Sequence, residues 1–323
     1  MAEPRIVSLI ASATEIVAAL GLGRFLVGRS HECDYPPEVL ALPACSEPKI
    51  DIHATSRQID ARVKSLAGEA ISVYRVFPEL LRQLEPTHII TQTQCEVCAV
   101  SLRDVEQAMA QLIGQHPKIV ALAPMCLDDV WNDIRIVGRS LEVAERADDL
   151  VRRLRRELDV LSGRVARSSR RPSSCPPSIA CLEWIDPLMS AGNWVPELVE
   201  IAGGRNLLGT AGKHSPWLAW DELVAVDADV IAVMPCGFDI ARTQAEMTPL
   251  IQDPRWRTLR AVREGRVFLT DGNQFFNRPG PRVVESARIL AEILHPDLGD
   301  NSLEGTGWVK FDTRPVVDDA ALP

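Results

Sequence analysis

The chain has 323 residues, which exceeds the length of one ordinary domain core and fits two domains. Hydrophobic residues make up 46% and charged residues 24% of the sequence, a balance that indicates a globular protein and excludes a fibrous or disordered one. The formal net charge of -9 argues against nucleic acid as a partner, because binding to phosphates depends on clustered Lys and Arg.

Short apolar runs alternate with amphipathic stretches, a rhythm that predicts strands and helices around mainly parallel sheets. We predict strands over residues 5–10, 26–28, 88–92, 118–122, 178–182, 230–234 and 266–269. A helix is predicted after the first strand, because Ser12 and Glu15 have the spacing of a capping box and Gly21 or Gly23 can end the helix.

Apolar residues then recur at steps of three and four, which predicts one long helix over about 141–165. A segment rich in Ser, Pro and Arg at 168–177 predicts a loop, after which a second α/β pattern begins. We therefore predict an N-terminal α/β lobe over 1–135, a connecting helix over 136–170, a C-terminal α/β lobe over 171–296 and a loosely attached tail over 297–323.

The first residues lack a basic region followed by a long apolar stretch, and the sequence contains no uninterrupted apolar run of about 18 residues. We expect no membrane span. With eight cysteines at modest density, free thiols in the cytoplasm are the expectation, and the periplasm is expected if Met1 is a misassigned start.

The residues that follow each predicted strand are the first candidates for a site, because ligands of open α/β sheets bind beyond the carboxyl ends of the strands. His31 and Cys33 follow the second predicted strand, and Cys95 and Cys98 follow the third. The corresponding residues of the second half are Glu183, Trp184, Cys236, Asn273 and Phe275.

Cys95 and Cys98 have the spacing at which two thiolates can hold one soft metal ion. His31, Cys33 and Cys236 would complete a set for zinc, iron or cobalt, because thiolate and imidazole suit these metals. Two other interpretations stay open: packing of buried cysteines in the core, and thiol redox chemistry.

Aromatic residues are sparse, and six of the seven tryptophans lie in the second half of the chain. Aromatic rings offer broad apolar contact to a large flat ligand at little entropic cost. We predict ligand contacts for Trp184, Trp194 and Phe275, and core packing for Trp217 and Trp220.

Several segments carry a family resemblance: RIVSLIASATE at 5–15, VG at 27–28 followed by DYP at 34–36, IAGG at 201–204, WDELV at 220–224, DVI at 229–231 and GRVF at 265–268. Over residues 4–296 the chain resembles the cobalamin-binding branch of the iron-siderophore and cobalamin substrate-binding proteins of bacterial ABC importers. The sequences HECDYP at 31–36 and CEVC at 95–98 depart from the ordinary importer pattern.

The resemblance implies an α/β fold of two Rossmann-like lobes with mainly parallel sheets joined by one long α-helix, the class III periplasmic-binding-protein architecture. It also implies a corrin ring in the cleft between the lobes. The positions most similar to corrin contacts are Tyr35, Tyr74, Trp184, Trp194 and Phe275, to which we add the strand-end residues Ser12, Glu183, Cys236 and Asn273.

The leading hypothesis is therefore a binding protein, not an enzyme, for cobalamin, another corrinoid or a related metal chelate, with an ABC permease as the implied partner. The alternative from another class is a metal-dependent or thiol enzyme that uses His31, Cys33, Cys95, Cys98 and Cys236 with Zn, Fe or Co. A conventional importer subunit with a misassigned start is the third hypothesis.

Overall fold

The computed structural model describes residues 3–69, 72–93, 100, 102–109, 116–168, 175–299 and 301–313. The chain divides into two compact units. Unit 1 consists of Met1–Val160, Ala211–His214 and Arg278–Val284, and unit 2 consists of Leu161–Thr210, Ser215–Asn277 and Glu285–Pro323. Of the helices in the described ranges, none combines the length and the apolar character that a membrane crossing needs.

Unit 1 is built on a parallel sheet. The described strands of unit 1 are β1 (Ile6–Ser8), β2 (Leu26–Arg29), β3 (Ser46–Pro48), β4 (Tyr74–Val76), β5 (His88–Gln92) and β6 (Lys118–Leu122). The sheet has the order β2, β1, β5, β6 with every pair parallel, while β3 and β4 form a separate antiparallel pair. Because the chain runs outward from β1 to both sides, the crevice at the carboxyl ends of β1 and its neighbours is where this topology favours a ligand.

Helices cover the sheet of unit 1. They are α1 (Ala11–Ala19), α2 (Ser56–Gly68), α3 (Pro78–Leu84), α4 (Leu102–Met109), α5 (Leu127–Ser140) and the start of α6 (Ala144–Ser168), with short 3-10 helices at Gly23–Phe25 and Pro37–Ala41. Apolar residues of the strands, such as Val7 and Ile89, are fully buried beneath these helices and form a core with α2, α3 and α4.

Unit 2 is built on a second sheet. Its described strands are β7 (Ser178–Trp184), β8 (Met189–Ser190), β9 (Arg205–Asn206), β10 (Val230–Val233), β11 (Val267–Thr270) and β12 (Trp308–Lys310). The order is β12, β11, β10, β7, β8, with β9 also on β7; the pairs among β11, β10, β7 and β9 are parallel. Because β7, β10 and β11 run side by side in one direction, the residues that follow them emerge at one edge of the sheet.

The helices of unit 2 are shorter. They are the end of α6, then α7 (Val195–Ile201), α8 (Trp220–Val226), α9 (Ile240–Ala245), α10 (Thr248–Gln252), α11 (Arg260–Arg263) and α12 (Val283–Leu294), whose first two residues belong to unit 1. Single turns lie at Trp256–Thr258 and Pro296–Leu298, and a π-helix lies at Gly272–Phe276. The predicted fold class is confirmed: two α/β lobes with mainly parallel sheets and one long connecting helix.

The predicted capping box at the start of the first helix is wrong. α1 begins at Ala11, its N-cap Ile10 makes no side-chain cap hydrogen bond, and Ser12 lies inside the helix. The Glu15 carboxylate instead accepts hydrogen bonds from Arg278 and Arg282. Glu15, which the local pattern predicted to cap the helix, therefore forms a buried ion pair.

The long helix is confirmed, but it begins three residues later than predicted because the chain turns between α5 and α6. Glu142 has a φ of 61°, a left-handed conformation that ends α5 and redirects the chain. At this corner a Cβ on Gly138 would lie 2.3 Å from the Cβ of Ala147, so only glycine allows the two helices to pack this closely.

Part of the segment predicted as a loosely attached tail is an ordered edge strand. β12 pairs antiparallel with β11, and the Trp308 indole donates a 2.6 Å hydrogen bond to Glu292. The Trp308 ring also packs edge-on against Phe268 at 5.5 Å between ring centroids. Trp308–Lys310 thus belong to the sheet of unit 2, although three strand residues are too few to show an alternating pattern in the sequence.

Candidate ligand-binding site

The loop after β2 in unit 1 carries the densest polar cluster of the candidate site. His31 Nδ1 lies 3.0 Å from Ser46 Oγ on β3, and its ring is tilted against Tyr74 of β4 at 5.3 Å. The Tyr74 hydroxyl donates a 3.4 Å hydrogen bond to Glu32, and His31 Nε2 lies 3.9 Å from the same carboxylate. The antiparallel pair of β3 and β4 therefore holds these side chains at the end of β2. We call His31, Glu32, Asp34, Tyr35 and Tyr74 the unit 1 face.

The protonation states of this face are unusual. Burial and the guanidinium of Arg29 lower the pKa of the His31 imidazole to about 4, so the ring is neutral at neutral pH. Burial raises the pKa of the Glu32 carboxyl to about 7 against the opposing pull of Arg278, although 35% of its side-chain surface stays exposed. Glu32 is thus an accessible group that changes charge near neutral pH.

Two buried arginines support the outer end of the unit 1 face. Arg278 pairs with both oxygens of Asp34 and, at 3.3 Å, with Glu15. Arg282 donates to both oxygens of Glu15, at 3.0 and 2.5 Å, and its guanidinium carbon lies 4.1 Å from the centre of the Tyr35 ring. Tyr35 is 42% exposed, so part of its surface is accessible to an apolar or planar ligand.

Unit 2 gathers its candidate residues at the carboxyl ends of three adjacent strands. The Cys236 amide after β10 donates to the Glu183 carbonyl of β7, and the Asn273 amide after β11 donates to the Phe238 carbonyl. A Cβ on Gly272 would lie 2.2 Å from the Pro235 carbonyl oxygen, so the close approach of these two loops requires glycine. We call Glu183, Trp184, Cys236, Phe238, Asn273 and Phe275 the unit 2 face.

Aromatic rings and a carboxylate share the unit 2 face. The Trp184 and Phe238 rings lie 5.2 Å apart, and the guanidinium carbon of Arg242 lies 3.9 Å from the Phe238 centroid. The Ser215 hydroxyl donates a 2.8 Å hydrogen bond to Glu183 and so fixes this carboxylate. The two rings are largely packed, with 9% of Trp184 and 2% of Phe238 exposed, whereas Glu183 is only half-buried.

Three further predicted ligand contacts are deeply packed. The Trp194 indole donates to the Phe276 carbonyl and anchors α7 to the π-helix, while Phe275 lies within that helix and is nearly buried. Ser12 is 1% exposed, and its carbonyl lies close to Gly280. Burial does not favour Ser12 as a ligand contact, and the contacts predicted for Trp194 and Phe275 stay predictions.

Trp217 and Trp220, both predicted to pack in the core, differ in their burial. Trp220 packs against the core of unit 2 and stacks with Arg255 at 5.2 Å. Trp217 is 54% exposed, and its backbone bridges to Met189 at β8. The core-packing prediction is therefore wrong for Trp217, because an exposed indole contributes little to the core.

The predicted metal cluster is not assembled by the described residues. Cys33 is fully buried, where its thiol contacts Thr14 and Ser30, whereas His31 contacts Ser46 and Tyr74. Within the described ranges, no three His, Cys, Asp or Glu side chains are placed to hold a metal ion. Cys95 and Cys98 lie outside the described residues, so metal binding by this pair stays a prediction.

The buried thiols do not support the enzyme alternative. Burial raises the pKa of the Cys33 thiol, and it raises the pKa values of Cys45 and Cys181 to about 12. Because the thiolate is the nucleophilic form, these three buried residues are poor nucleophiles, and of the three only Cys33 belongs to the enzyme alternative. The hydroxyl of Ser46 beside His31 is equally unsuited to attack a substrate, because Ser46 is 1% exposed.

Sequence reasoning missed Arg242 and Ser215, and it did not include Phe238 or Glu32 among the predicted ligand contacts. Phe238 and Arg242 follow Cys236 in the loop and first turn after β10, so their position behind a predicted strand was the available signal. Ser215 reaches Glu183 from 32 positions away along the chain, and no local pattern reveals such a contact.

Comparison with known proteins shows which family the chain matches. The family model described as "Periplasmic binding protein" matches residues 6–273. The chain is 22% identical over 300 residues to an uncharacterized ABC transporter substrate-binding lipoprotein, YvrC, of Bacillus subtilis, covering 91% of this chain and 81% of that protein.

Two solved structures have the same fold. The periplasmic heme-binding protein RhuT of Roseiflexus sp. RS-1 is 23% identical with a TM-score of 0.66, over 92% of this chain and all of that one. The periplasmic vitamin B12 binding protein BtuF of Vibrio cholerae is 20% identical with a TM-score of 0.60, over 92% and 98% of the two chains. The family match over residues 6–273 and the fold agree, and the chain belongs to the periplasmic binding protein family.

Proposed function

We propose that this protein is the substrate-binding component of an ABC importer and that its ligand is a metal chelate, with a corrinoid such as cobalamin or cobinamide as the first candidate. The observation that carries the proposal is the unit 2 face, where Glu183 and Trp184 end β7, Phe238 follows β10, and the Trp184 and Phe238 rings lie 5.2 Å apart. Relatives of the same fold are described as binding heme and vitamin B12, which supports this ligand class.

The chemistry of the two faces suits a flat macrocycle with a polar margin. The Tyr35 ring of unit 1 is 42% exposed and offers apolar contact to a planar ring system, and Trp184 of unit 2 keeps 9% of its surface while it packs against the buried Phe238 ring. Carboxylates and backbone groups around these rings would satisfy the polar substituents at its edge. That one ligand contacts both faces, as the family resemblance implies, stays a prediction.

A titration with dicyanocobinamide and with hemin tests this proposal. We expect a Kd below about 10 μM for dicyanocobinamide, measured by calorimetry and by the absorbance change of the corrin. The Trp184→Leu variant is expected to bind about tenfold or more weakly, because it removes an indole from the contact surface.

Trp308→Leu is the matched control for that variant. Trp308 is another buried tryptophan of unit 2 whose indole donates a hydrogen bond, but it lies on the edge strand β12, so its loss costs stability without touching the unit 2 face. If the Trp184→Leu and Trp308→Leu variants bind dicyanocobinamide with equal affinity, Trp184 does not contact the ligand. No binding of either chelate at millimolar concentration would refute the proposed function.

The importer role implies a permease as partner. A pull-down with the permease encoded nearest to this chain's gene tests that role, with binding that increases in the presence of ligand as the supporting result. The similar protein of Bacillus subtilis is described as a lipoprotein, which lends no support to the predicted cytoplasmic location. Fractionation of cells that express the natural gene tests the location.

A further inference from the structure

The strand β6 forms the outer edge of the sheet of unit 1. The Lys118 amide donates a 2.8 Å hydrogen bond to the Thr87 carbonyl beside β5, and the pairing with β5 continues in register to Leu122. Residues of a parallel strand alternate between bonding to the neighbouring strand and facing away from it. Ile119 and Ala121 therefore direct their N–H and C=O groups outward, where these groups have no hydrogen-bond partner within the described ranges.

A groove of about 330 Å³ lies against β6 and helix α5. Its apolar lining consists of Ile119, Val120 and Ala121 of β6 and Ile136 of α5, and Ile119, Ala121 and Ile136 are only half-buried. This volume lies at the lower end of the range of ligand sites, roughly 300–1,000 Å³. We call it the β6 edge groove.

Two cations line the β6 edge groove. Lys118 is the first residue of β6, Arg139 lies in the last turn of α5, and both are exposed. Among the residues that the structure describes, no carboxylate forms an ion pair with either side chain. Arg135, one turn earlier on α5, pairs with Asp148 at 2.8 Å. In a chain with a net charge of -9, the groove is thus a local positive site.

Ser140, the last residue of α5, adds a buried hydroxyl to the lining. It is 8% exposed, and its carbonyl accepts a 3.1 Å hydrogen bond from His88 Nε2. Its Oγ has no hydrogen-bond partner in the described part of the chain, which is uncommon for a buried hydroxyl. Glu142 lies close enough to act on the charge of His88, but it is exposed and pairs with neither Lys118 nor Arg139.

We propose that the β6 edge groove is a docking site for an extended, acidic peptide segment of a partner protein. The segment adds a strand to the sheet through the outward backbone groups of Ile119 and Ala121, and its carboxylates pair with Lys118 and Arg139. A second copy of this chain is a poorer occupant, because its own β6 offers a lysine and no acidic residue. The site is separate from the two strand-end faces and does not depend on the proposed function.

Lys118 also fits a purely protective role, because a lysine on an edge strand discourages pairing with other chains. The two roles have opposite consequences. If Lys118 attracts an acidic peptide, its removal weakens peptide binding. If Lys118 only protects the edge, its removal strengthens strand pairing or makes the protein self-associate.

The test uses the full chain and the fluorescein-labelled peptide VTEVEVT, followed by fluorescence anisotropy. We expect a Kd below about 100 μM. The peptide VTKVKVT reverses the charge, and VTEPEVT keeps the charge but carries a proline that hinders strand pairing. Both are expected to bind about tenfold or more weakly, because each lacks one of the two kinds of contact.

Substitutions in the groove assign the contacts. Lys118→Ala and Arg139→Ala are each expected to raise the Kd of VTEVEVT by about threefold or more, because each removes one positive charge. Lys49→Ala, at an exposed lysine after β3, is the control and should leave the Kd unchanged. Ala121→Pro removes an outward N–H and is also expected to weaken binding; a thermal melt checks that each variant folds.

Several results would overturn the proposal. Equal affinity for the three peptides would exclude a site that needs both strand pairing and acidic groups. Displacement of VTEVEVT by glutarate at an equal concentration would indicate a site for small acids instead of a peptide. Tighter peptide binding by Lys118→Ala, or dimers of this variant in light scattering, would show that Lys118 only protects the edge.

Discussion

Single residues in this protein are defined by partners that lie far away along the chain. Glu15 contacts Arg278 and Arg282, which follow it by 263 and 267 positions, although its local sequence has the spacing of a capping box. Residue types at strand ends could be predicted from the sequence: Cys236 follows β10 as predicted, whereas Trp184 is the last residue of β7 and does not follow the strand. The ion pairs of Arg278 and Arg282 could not be predicted, because spacing along the chain does not reveal contacts between distant residues.

Replacing Glu15 tests how much this buried network stabilises the fold. After Glu15→Gln, the two buried guanidinium groups of Arg278 and Arg282 share a single carboxylate, that of Asp34. We therefore expect the free energy of unfolding to fall by about 3–5 kcal/mol. Chemical denaturation monitored by circular dichroism measures this loss.

Glu145→Gln is the control for this experiment, because Glu145 is an exposed residue in the first turn of α6. It should change the free energy of unfolding by less than about 0.5 kcal/mol. A Glu15→Gln protein as stable as the Glu145→Gln protein would show that the network contributes nothing to stability.

At the scale of elements, prediction succeeded where a segment is long or continuously buried. β5 and β6 lie where the apolar runs at 88–92 and 118–122 placed them, because strands buried in a parallel sheet are apolar on both faces. The strands β8, β9 and β12 have two or three residues each, which is too short for any periodicity. The pair of β3 and β4, which supports His31, went unpredicted for the same reason.

Helix α5 carries a buried carboxyl that makes stability depend on pH. Burial and the neighbouring Asp129 raise the pKa of Asp133 from 3.8 to about 7, and its Oδ2 has no hydrogen-bond partner among the residues that the structure describes. A raised pKa favours the protonated form in the folded state, so this stabilisation is complete below pH 4 and is lost as the pH rises through 7. The loss reaches at most about 1.4 kcal/mol per pH unit within that window.

We predict that Asp133→Asn removes this dependence. Relative to the unchanged protein, the variant should gain stability as the pH rises from 4 to 7, as measured by urea denaturation at several pH values. Asp128→Asn, on the same helix but 81% exposed, should show no such relative gain. If the free energies of unfolding of Asp133→Asn and of the unchanged protein change equally with pH, the pKa of Asp133 is not raised.

On the scale of the whole molecule, the rhythm of strands and helices was enough to predict two α/β units and the long helix α6. The sequence did not predict that each unit is built from separate segments of the chain. Arg278–Val284 belongs to unit 1, although the chain on both sides of it belongs to unit 2. This segment brings both arginines to the unit 1 face. A linear division of the sequence assigns it to the other lobe, because order along the chain does not report contacts in space.

Hydrogen exchange with and without saturating dicyanocobinamide tests most directly whether the strand-end residues hold the ligand. Our account predicts slower exchange in peptides that cover 30–36 in unit 1 and 183–194, 236–240 and 271–277 in unit 2. Peptides from α5 and β6 should exchange as before. Protection confined to α5 and β6, or no protection of the strand-end peptides at saturation, would contradict the account.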